Sequence, residues 1–223
     1  MAVDVDTMDC TALTDSEFEE FVDLSSEHGV DHEIGVFSKL AEEWVLVSQA
    51  REGDKLRAVA FYTLERIGGT PSVVIGALNV KRFAKRDTIM RALVAEMLYK
   101  ALLAFPDEDV LVGTRTPTVG GFALFESLDD VVPRFDYEAN GEDRAWGRRL
   151  AKRYGIPSSA YQASSFTAAG DGAVPIGVDH EPMRPEKLPE GIDTFFEGVD
   201  EQRGDVVIAH GWARAEDLIK LGD

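Results

Sequence analysis

Cysteine is almost absent from this chain of 223 residues, which contains only Cys10. One thiol cannot form an intrachain disulfide, and it cannot build a zinc site from cysteine thiolates. Long apolar runs are also missing, and none approaches the ~18 residues that a membrane-spanning helix needs. Residues 1–9 are acidic and lack the basic and then apolar order of a signal peptide, so we expect a cytoplasmic protein.

Basic residues are scarce as well, with 23 Lys and Arg against 41 Asp and Glu and a formal charge of −18. A field of this sign repels nucleic-acid phosphates and anionic lipid headgroups, so we expect neither nucleic acid nor membrane as a partner. It favours solubility, or a host with high internal salt. Apolar residues make up 44% of the chain, which is ordinary for a globular protein with a packed core. The length suits one domain with an appended segment, or two small domains.

The spacing of apolar residues predicts a mixed α/β fold for residues 12–130. Thr14 and Glu17 have the spacing of a capping box, which marks the start of a first helix that ends near Gly29. Three apolar strands separated by tight turns predict an antiparallel meander. The remaining predicted elements are a second helix at 34–43, the strands at 44–50, 56–66 and 72–80, a long helix at 88–105, a strand at 110–112 and a helix at 121–128.

The C-terminal part, residues 131–223, is looser in composition and forms an extension to this domain. We predict a helix at 142–154, a loop-rich segment at 155–189 with a strand near 165–167, a strand at 205–211 and a short helix at 215–221. The helix at 142–154 is basic, and Trp146, Leu150 and Tyr154 give it one apolar face. We expect it to dock on the acidic domain. A homodimer contact and an anionic ligand are the open alternatives.

A basic bend stands out at residues 81–88, where Lys81, Arg82, Lys85 and Arg86 fall within six positions of a very acidic chain. The bend leads from a buried strand into the start of a long helix. Free backbone amides and the helix dipole favour anions at such a start, so the bend is a candidate anion cradle. The alternative is a solvated loop whose charges add to solubility.

Residues 78–94 resemble the acyl-CoA-binding core of the GNAT superfamily of acyltransferases. The motif of that family is Val-x-x-x-x-Arg/Gln-x-x-Gly-x-Gly/Ala, followed after two residues by Leu. Val80, Lys85 and Leu93 match it without a gap, whereas Thr88 and Met90 stand where the family has glycines. The family's loop amides hold the pyrophosphate of acetyl-CoA, and glycine lets the backbone approach it. Here Lys85, Arg86 and the Thr88 hydroxyl would contact phosphate directly.

Residues 118–130 resemble a second GNAT motif, Asn-x-x-Ala-x-x-Leu-Tyr-Glu-x-Leu-Gly-Phe. Leu124, Glu126 and Leu128 agree with it. Thr118 replaces the Asn that lies near the thioester. Phe125 replaces the Tyr that in many members protonates the departing thiolate, and Phe has no proton to give.

The resemblance covers residues 12–130 and implies a mostly antiparallel mixed sheet flanked by helices. It implies transfer of an acetyl or other acyl group from acetyl-CoA or another acyl-CoA to an amine on a small molecule or peptide. Strand amides after Val80 would polarise the thioester carbonyl. The cofactor-binding residues that it implies are Leu78, Val80, Lys85, Arg86, Asp87, Thr88, Ile89, Met90 and Thr118. The missing glycines and Phe125 support an alternative, a GNAT-fold binding or regulatory module without catalysis.

Candidates for the base that deprotonates the amine are few, because the strand at 72–80 contains no acid. Glu65, at the end of the preceding strand, and His32, between the first two helices, are the predicted catalytic residues. His28 shares the region of His32, and His180 and His210 lie in the extension. His28 and His32 have a spacing that can bind metal on a helix, but Gly29 interrupts the helix, so we expect no metal site.

Overall fold

The structure is a computed structural model that describes residues 3–26, 32–81, 83–172 and 188–221. Its helices are α1 (Asp15–Ser26), α2 (Ile34–Glu43), α3 (Arg86–Ala104), α4 (Gly141–Arg153) and α5 (Ala215–Ile219). Its strands are β1 (Asp4–Asp9), β2 (Leu46–Glu52), β3 (Lys55–Ile67), β4 (Thr70–Val80), β5 (Val110–Thr116), β6 (Asp129–Val132), β7 (Tyr161–Gln162), β8 (Thr167–Ala168) and β9 (Val206–Ala213). Short 3₁₀ helices include Val119–Phe125 and Ile192–Phe196.

The strands form one mixed sheet in the order β1-β2-β3-β4-β5-β9-β8-β7, with β6 also paired to β9. The meander β1 to β4 is antiparallel, and α3 connects β4 to β5, which pair in parallel. A parallel pair needs a crossover connection of this kind. The predicted fold class, a mostly antiparallel mixed sheet flanked by helices, is confirmed.

Helices cover both faces of the sheet. On one face α3 packs against the sheet through Ile89, Met90, Leu93 and other buried residues of a first core cluster. On the other face α1, α2 and α4 pack over a second cluster that includes Phe21, Phe37 and Leu150. The backbone N–H of Thr14 donates to the Glu17 carboxylate (2.9 Å), as the predicted capping spacing requires at the start of α1.

The C-terminal extension contributes to the same sheet, because β9 pairs with β5 along seven residues. The division of the chain at residue 130 stays a prediction. The helix predicted at 142–154 is α4, and the strand predicted at 205–211 is β9. In the part of the chain that the structure describes, no helix has both the length and the apolar character for crossing a bilayer.

Several local predictions were wrong. The α-helix predicted at 121–128 is the 3₁₀ helix Val119–Phe125, because Gly120 and Gly121 disfavour a regular α-helix. The strand predicted near 165–167 is limited to Thr167–Ala168. The edge strands β1 and β6 were not predicted, since both are short, acidic and partly exposed. The predictions for His28, Arg82 and His180 lie outside the described residues.

Candidate functional site

The candidate site is an opening between β4 and β5. The two strands pair only from Ser72 to Ile75 on β4, opposite Leu111 to Thr114 on β5, although β4 continues to Val80. A β-bulge lies where the pairing stops. On β3, Phe61 pairs with Ala77 and Tyr62 with Ile75, so Gly76 is the extra residue. Because a bulge bends its strand, β4 leaves β5 at this point and the strands diverge.

The two core clusters show the same bulge, because the assignment of β4 side chains to the two faces of the sheet shifts at Gly76. Before Gly76, Val73 and Ile75 belong to the α3 face and Val74 to the α4 face. After it, Ala77 lies on the α4 face and Leu78 on the α3 face, so the alternation shifts by one residue. A one-residue shift of this kind moves every later side chain to the opposite face.

Trp44, directly after α2, lies against the bulge. A Cβ atom built on Gly76 would lie 1.8 Å from Cε2 of the Trp44 ring, so no larger residue fits at position 76 without moving the indole. Trp44 is 2% exposed. Its indole N–H is buried and has no hydrogen-bond partner among the described residues.

Tyr154, at the C-terminal end of α4, closes the opening beside Trp44. Its hydroxyl donates to the carbonyl oxygens of Ile75 on β4 (2.8 Å) and Gly113 on β5 (3.0 Å), at the position where the strands separate. Burial raises the pKa of the Tyr154 hydroxyl well above its usual value, so the group stays protonated. Leu150, one turn earlier, covers Gly113 so closely that a Cβ there would lie 2.5 Å from the leucine Cδ2.

The predicted anion cradle lies at the other end of this part of β4. Lys85 Nζ donates to Glu52 Oε1 (2.9 Å), and Arg57 Nε donates to Glu52 Oε2 (3.0 Å). Glu52 is only 6% exposed, and the hydrogen bond from Lys85 lowers its pKa. The Lys85 ammonium is therefore already paired with a carboxylate of β2.

Arg86 lies inside the protein, with 4% of its side chain exposed, and Nη1 is 3.4 Å from Asp87 Oδ1. The helix starts at Arg86, two residues earlier than the sequence predicts. Residues 86, 89, 90 and 93 then lie on one helix face, at the spacing that brings side chains together. That face is the buried one.

Thr88 is exposed, whereas Ile89 and Met90 are buried against the sheet in the same cluster as Leu78 and Val80. Met90 therefore does not stand between the backbone and a ligand. The amide of Ile89 donates to Lys85 O (3.1 Å). Those of Asp87 and Thr88 have no backbone acceptor among the described residues, and such amides are available to an anion.

Cations cluster around this helix start. They include Arg57, Lys81, Lys85 and Arg86, and the carboxylates of Glu52 and Asp87 pair with three of them. In a chain with a net charge of −18, such a cluster of cations favours an anionic ligand.

The second motif forms a turn after β5. Thr118 is the N-cap of the 3₁₀ helix Val119–Phe125, and its carbonyl accepts from the Thr116 hydroxyl (2.7 Å). Phe125 is 3% exposed and packs on Phe122, with ring centroids 5.6 Å apart. This position is a core position, and it supplies no proton donor.

The predicted catalytic residues have other neighbours. Arg153 Nε donates to Glu65 Oε1 (2.6 Å), and the same guanidinium lies 4.9 Å from the centroid of the Trp44 ring. His32 packs edge-on against Phe37, with ring centroids 6.0 Å apart. Glu65 thus contacts α4 and His32 contacts α2, and these contacts do not bring the two together. Within the described residues, no group of three or more His, Cys, Asp or Glu side chains could hold a metal ion.

Sequence reasoning missed the residues that occupy the opening, Trp44, Gly76 and Tyr154. A lone glycine inside an apolar strand is a known signal of a bulge or a close contact, and Gly76 carried that signal. The helical spacing of Tyr154 predicts only that it lies on the apolar face of its helix. No local pattern links it to β4, which is 79 residues away along the chain.

No protein-family model matches the sequence, and no curated protein matches it. Among solved structures, Escherichia coli ElaA is 17% identical, with 63% of this chain and 95% of that chain covered and a TM-score of 0.43. The ribosomal-protein-S18-alanine N-acetyltransferase of Escherichia coli is 14% identical, with coverages of 62% and 86% and a TM-score of 0.42. An acyl-CoA N-acyltransferase from Pseudomonas aeruginosa is 19% identical, with coverages of 51% and 78% and a TM-score of 0.38.

At these identities and TM-scores the likeness supplies no substrate, cofactor or catalytic residue for this chain. The order of elements and the strand pairing are those of the chain itself: an antiparallel meander, a crossover helix and a parallel pair that diverges at a bulge. They agree with the mixed, mostly antiparallel architecture that the two motifs predict.

Proposed function

We propose that this chain is a GNAT-fold binding module that takes a diphosphate-bearing ligand, CoA or an acyl-CoA, at the start of α3 and does not transfer an acyl group. The observation that carries the proposal is the closure of the opening between β4 and β5 by Tyr154 and Trp44. Four residues of strand, about 13 Å, separate Gly76 at this closed end from Val80 at the cradle end. Binding of the phosphates at the cradle end therefore does not require the reacting end of the ligand to enter the closed end.

Direct transfer needs the amine and the thioester in contact, with a path for the amine to enter. On the α4 face, Trp44, Leu150 and Tyr154 are all buried where such a path would run. The Tyr154 hydroxyl already donates to two carbonyl groups. Glu65, the predicted base, is paired with Arg153. These contacts favour a module without transfer.

Binding of the diphosphate is supported by the backbone rather than by the predicted side chains. The amides of Asp87 and Thr88 are available at the start of a 19-residue helix, where the helix dipole favours an anion. Thr88 is exposed beside them, and the cations of Arg57, Lys85 and Arg86 lie around this helix start. Lys85 and Arg86 would act through the field of their charges, since both already have carboxylate partners.

The second candidate is the acyltransferase itself, which would use acetyl-CoA or another acyl-CoA and an amine on a small molecule or peptide. One observation favours it. Tyr154 provides a protonated hydroxyl at the opening, where Phe125 has none. To protonate a departing thiolate, this hydroxyl would have to release Ile75 O and Gly113 O while staying at the opening.

Two measurements on the full chain test the proposal. We expect CoA and acetyl-CoA to raise the melting temperature equally. At a ligand concentration 100 times Kd the gain is about 2.7 kcal/mol, or roughly 5–10 °C for a chain of this size. Thiol release from acetyl-CoA, measured with a panel of small amines and peptides, should not exceed the rate without protein. Release that depends on the protein would establish the acyltransferase instead.

Thr88→Glu places a negative side chain on the exposed first turn of α3 and should abolish the shift in melting temperature. Ser158→Glu is the matched control, since Ser158 is also exposed and the charge change is the same. Substituting Arg86 is a poorer test because its side chain is buried and its loss would perturb folding. Absence of any shift in the wild type would refute binding of the cofactor.

A further inference from the structure

A separate cavity of about 500 Å³ lies on the α4 face, between the end of β5, the segment after α4 and the strand pair β8–β9. We call it the Arg115 cavity. Residues that line it include Arg115, Ile156, Pro157, Ala160, Ala169 and Val206. A concave, mostly apolar site with one well-placed polar group is the usual form of a small-molecule site.

Arg115 is the one cationic side chain among the described residues that line this cavity. Its Nε is buried and has no hydrogen-bond partner among the residues that the structure describes. None of the ion pairs of those residues involves it, although the chain has 41 carboxylate side chains. The guanidinium carbon lies 5.2 Å from the centroid of the Tyr154 ring, which supports the charge but accepts no conventional hydrogen bond.

A buried donor without a partner is costly, and in native proteins it usually has a water molecule, an ion or a ligand as its partner. Arg115 lines the cavity, so an acceptor inside the cavity would complete its hydrogen bonds. Guanidinium groups match the planar geometry of a carboxylate and bind it through charge-assisted hydrogen bonds.

We infer that the Arg115 cavity binds a small monocarboxylate, with the carboxylate at the guanidinium and an apolar body against Ile156, Pro157 and Val206. Asp171 also lines the cavity, and its negative charge disfavours a doubly charged anion such as phosphate. The inference does not depend on the binding of CoA, because the start of α3 contributes no residue to the cavity.

Calorimetric titration of the full chain with sodium hexanoate tests the site. A ligand of this size, with an ordinary binding free energy per non-hydrogen atom, should bind with a Kd of about 1 mM. Hexylamine has the same apolar body with the opposite charge and should not bind, and inorganic phosphate should bind at least about tenfold more weakly than hexanoate. Failure of hexanoate to bind the wild type at about 10 mM would refute the inference. Equal binding of phosphate would refute the preference for carboxylate.

Two variants locate the binding. Arg115→Gln should weaken hexanoate binding by about tenfold or more. Ala169→Phe should do the same by filling the cavity while Arg115 remains. Arg148→Gln, on the exposed side of α4, is the matched control and should bind as the wild type does. Unchanged affinity in both cavity variants would place the ligand elsewhere. Thr88→Glu should leave hexanoate binding unchanged, so failure of the CoA proposal and failure of this one are distinguishable.

Discussion

Removing the hydroxyl of Tyr154 tests whether α4 holds β4 and β5 together at the opening. In Tyr154→Phe the ring stays and one oxygen is lost, together with its hydrogen bonds to Ile75 O and Gly113 O. Both carbonyl groups then lose this donor in a buried place. A buried acceptor left without its partner costs about 1–3 kcal/mol.

We expect Tyr154→Phe to lower the free energy of unfolding by about 2 kcal/mol, which corresponds to a fall of roughly 4–8 °C in melting temperature. The chain offers a matched control in Tyr161. Its hydroxyl is also buried but has no hydrogen-bond partner among the described residues, and burial raises its pKa as well. Tyr161→Phe removes an unsatisfied polar atom and should be neutral or slightly stabilising.

Urea unfolding of the wild type and both variants, followed by circular dichroism, measures the difference. The slope of free energy against urea should stay the same, because neither variant changes the surface that unfolding exposes. Equal losses in Tyr154→Phe and Tyr161→Phe would show that the two carbonyl contacts contribute nothing specific. That result would contradict the inference that Tyr154 holds β4 and β5 together at the opening.

Three further results are expected. Gly76→Ala should destabilise the chain by about 3 kcal/mol and shift the tryptophan emission, because the new Cβ would overlap the Trp44 ring; an unchanged spectrum and stability would contradict the close contact. Glu52→Gln should tighten CoA binding in calorimetry, because it removes a carboxylate that pairs with Lys85, and weaker binding would argue against the cradle. Burial lowers the pKa of His210 to about 4 from 6.5, so the unfolded chain binds more protons between these values. The free energy of unfolding should therefore fall by up to about 3 kcal/mol as the pH drops from 6.5 to 4. His210→Gln should flatten that fall in urea titrations at several pH values, and an equal slope in the variant would show that His210 does not cause it.

The regular elements of the core could be predicted from local sequence. The alternation and turns of β2 to β4 and the helical period of α3 are dictated by which side chains must face the core. The 3₁₀ form of the helix Val119–Phe125 was not predicted, because it depends on a close contact as well as on the low helix propensity of glycine. A Cβ on Gly121 would lie 2.4 Å from the Thr116 hydroxyl, so the glycine allows the turn to pack on the end of β5.

The basic bend could be predicted from local sequence, but the contacts of its side chains could not. The basic bend lies between β4 and α3, as the sequence predicts. Lys85, however, forms an ion pair with Glu52 on β2, 33 residues away along the chain. No local sequence pattern predicts that ion pair. The start of α3 two residues early turns Arg86 inward, although sequence reasoning expects it to face a phosphate. Side-chain direction at a helix start depends on the first helical residue, and that boundary is hard to predict.

A parallel strand pair that diverges at a bulge leaves backbone groups facing each other with no strand between them. Such groups must be satisfied by water, by a ligand or by the protein itself. In this chain the extension supplies the partner, because α4 places the Tyr154 hydroxyl between Ile75 and Gly113. The same helix ends beside the Arg115 cavity, where Nε of Arg115 is buried and has no acceptor among the described residues. The end of one helix thus fills the opening between β4 and β5 and also borders a cavity, so the binding proposed at the start of α3 does not by itself imply acyl transfer at the opening.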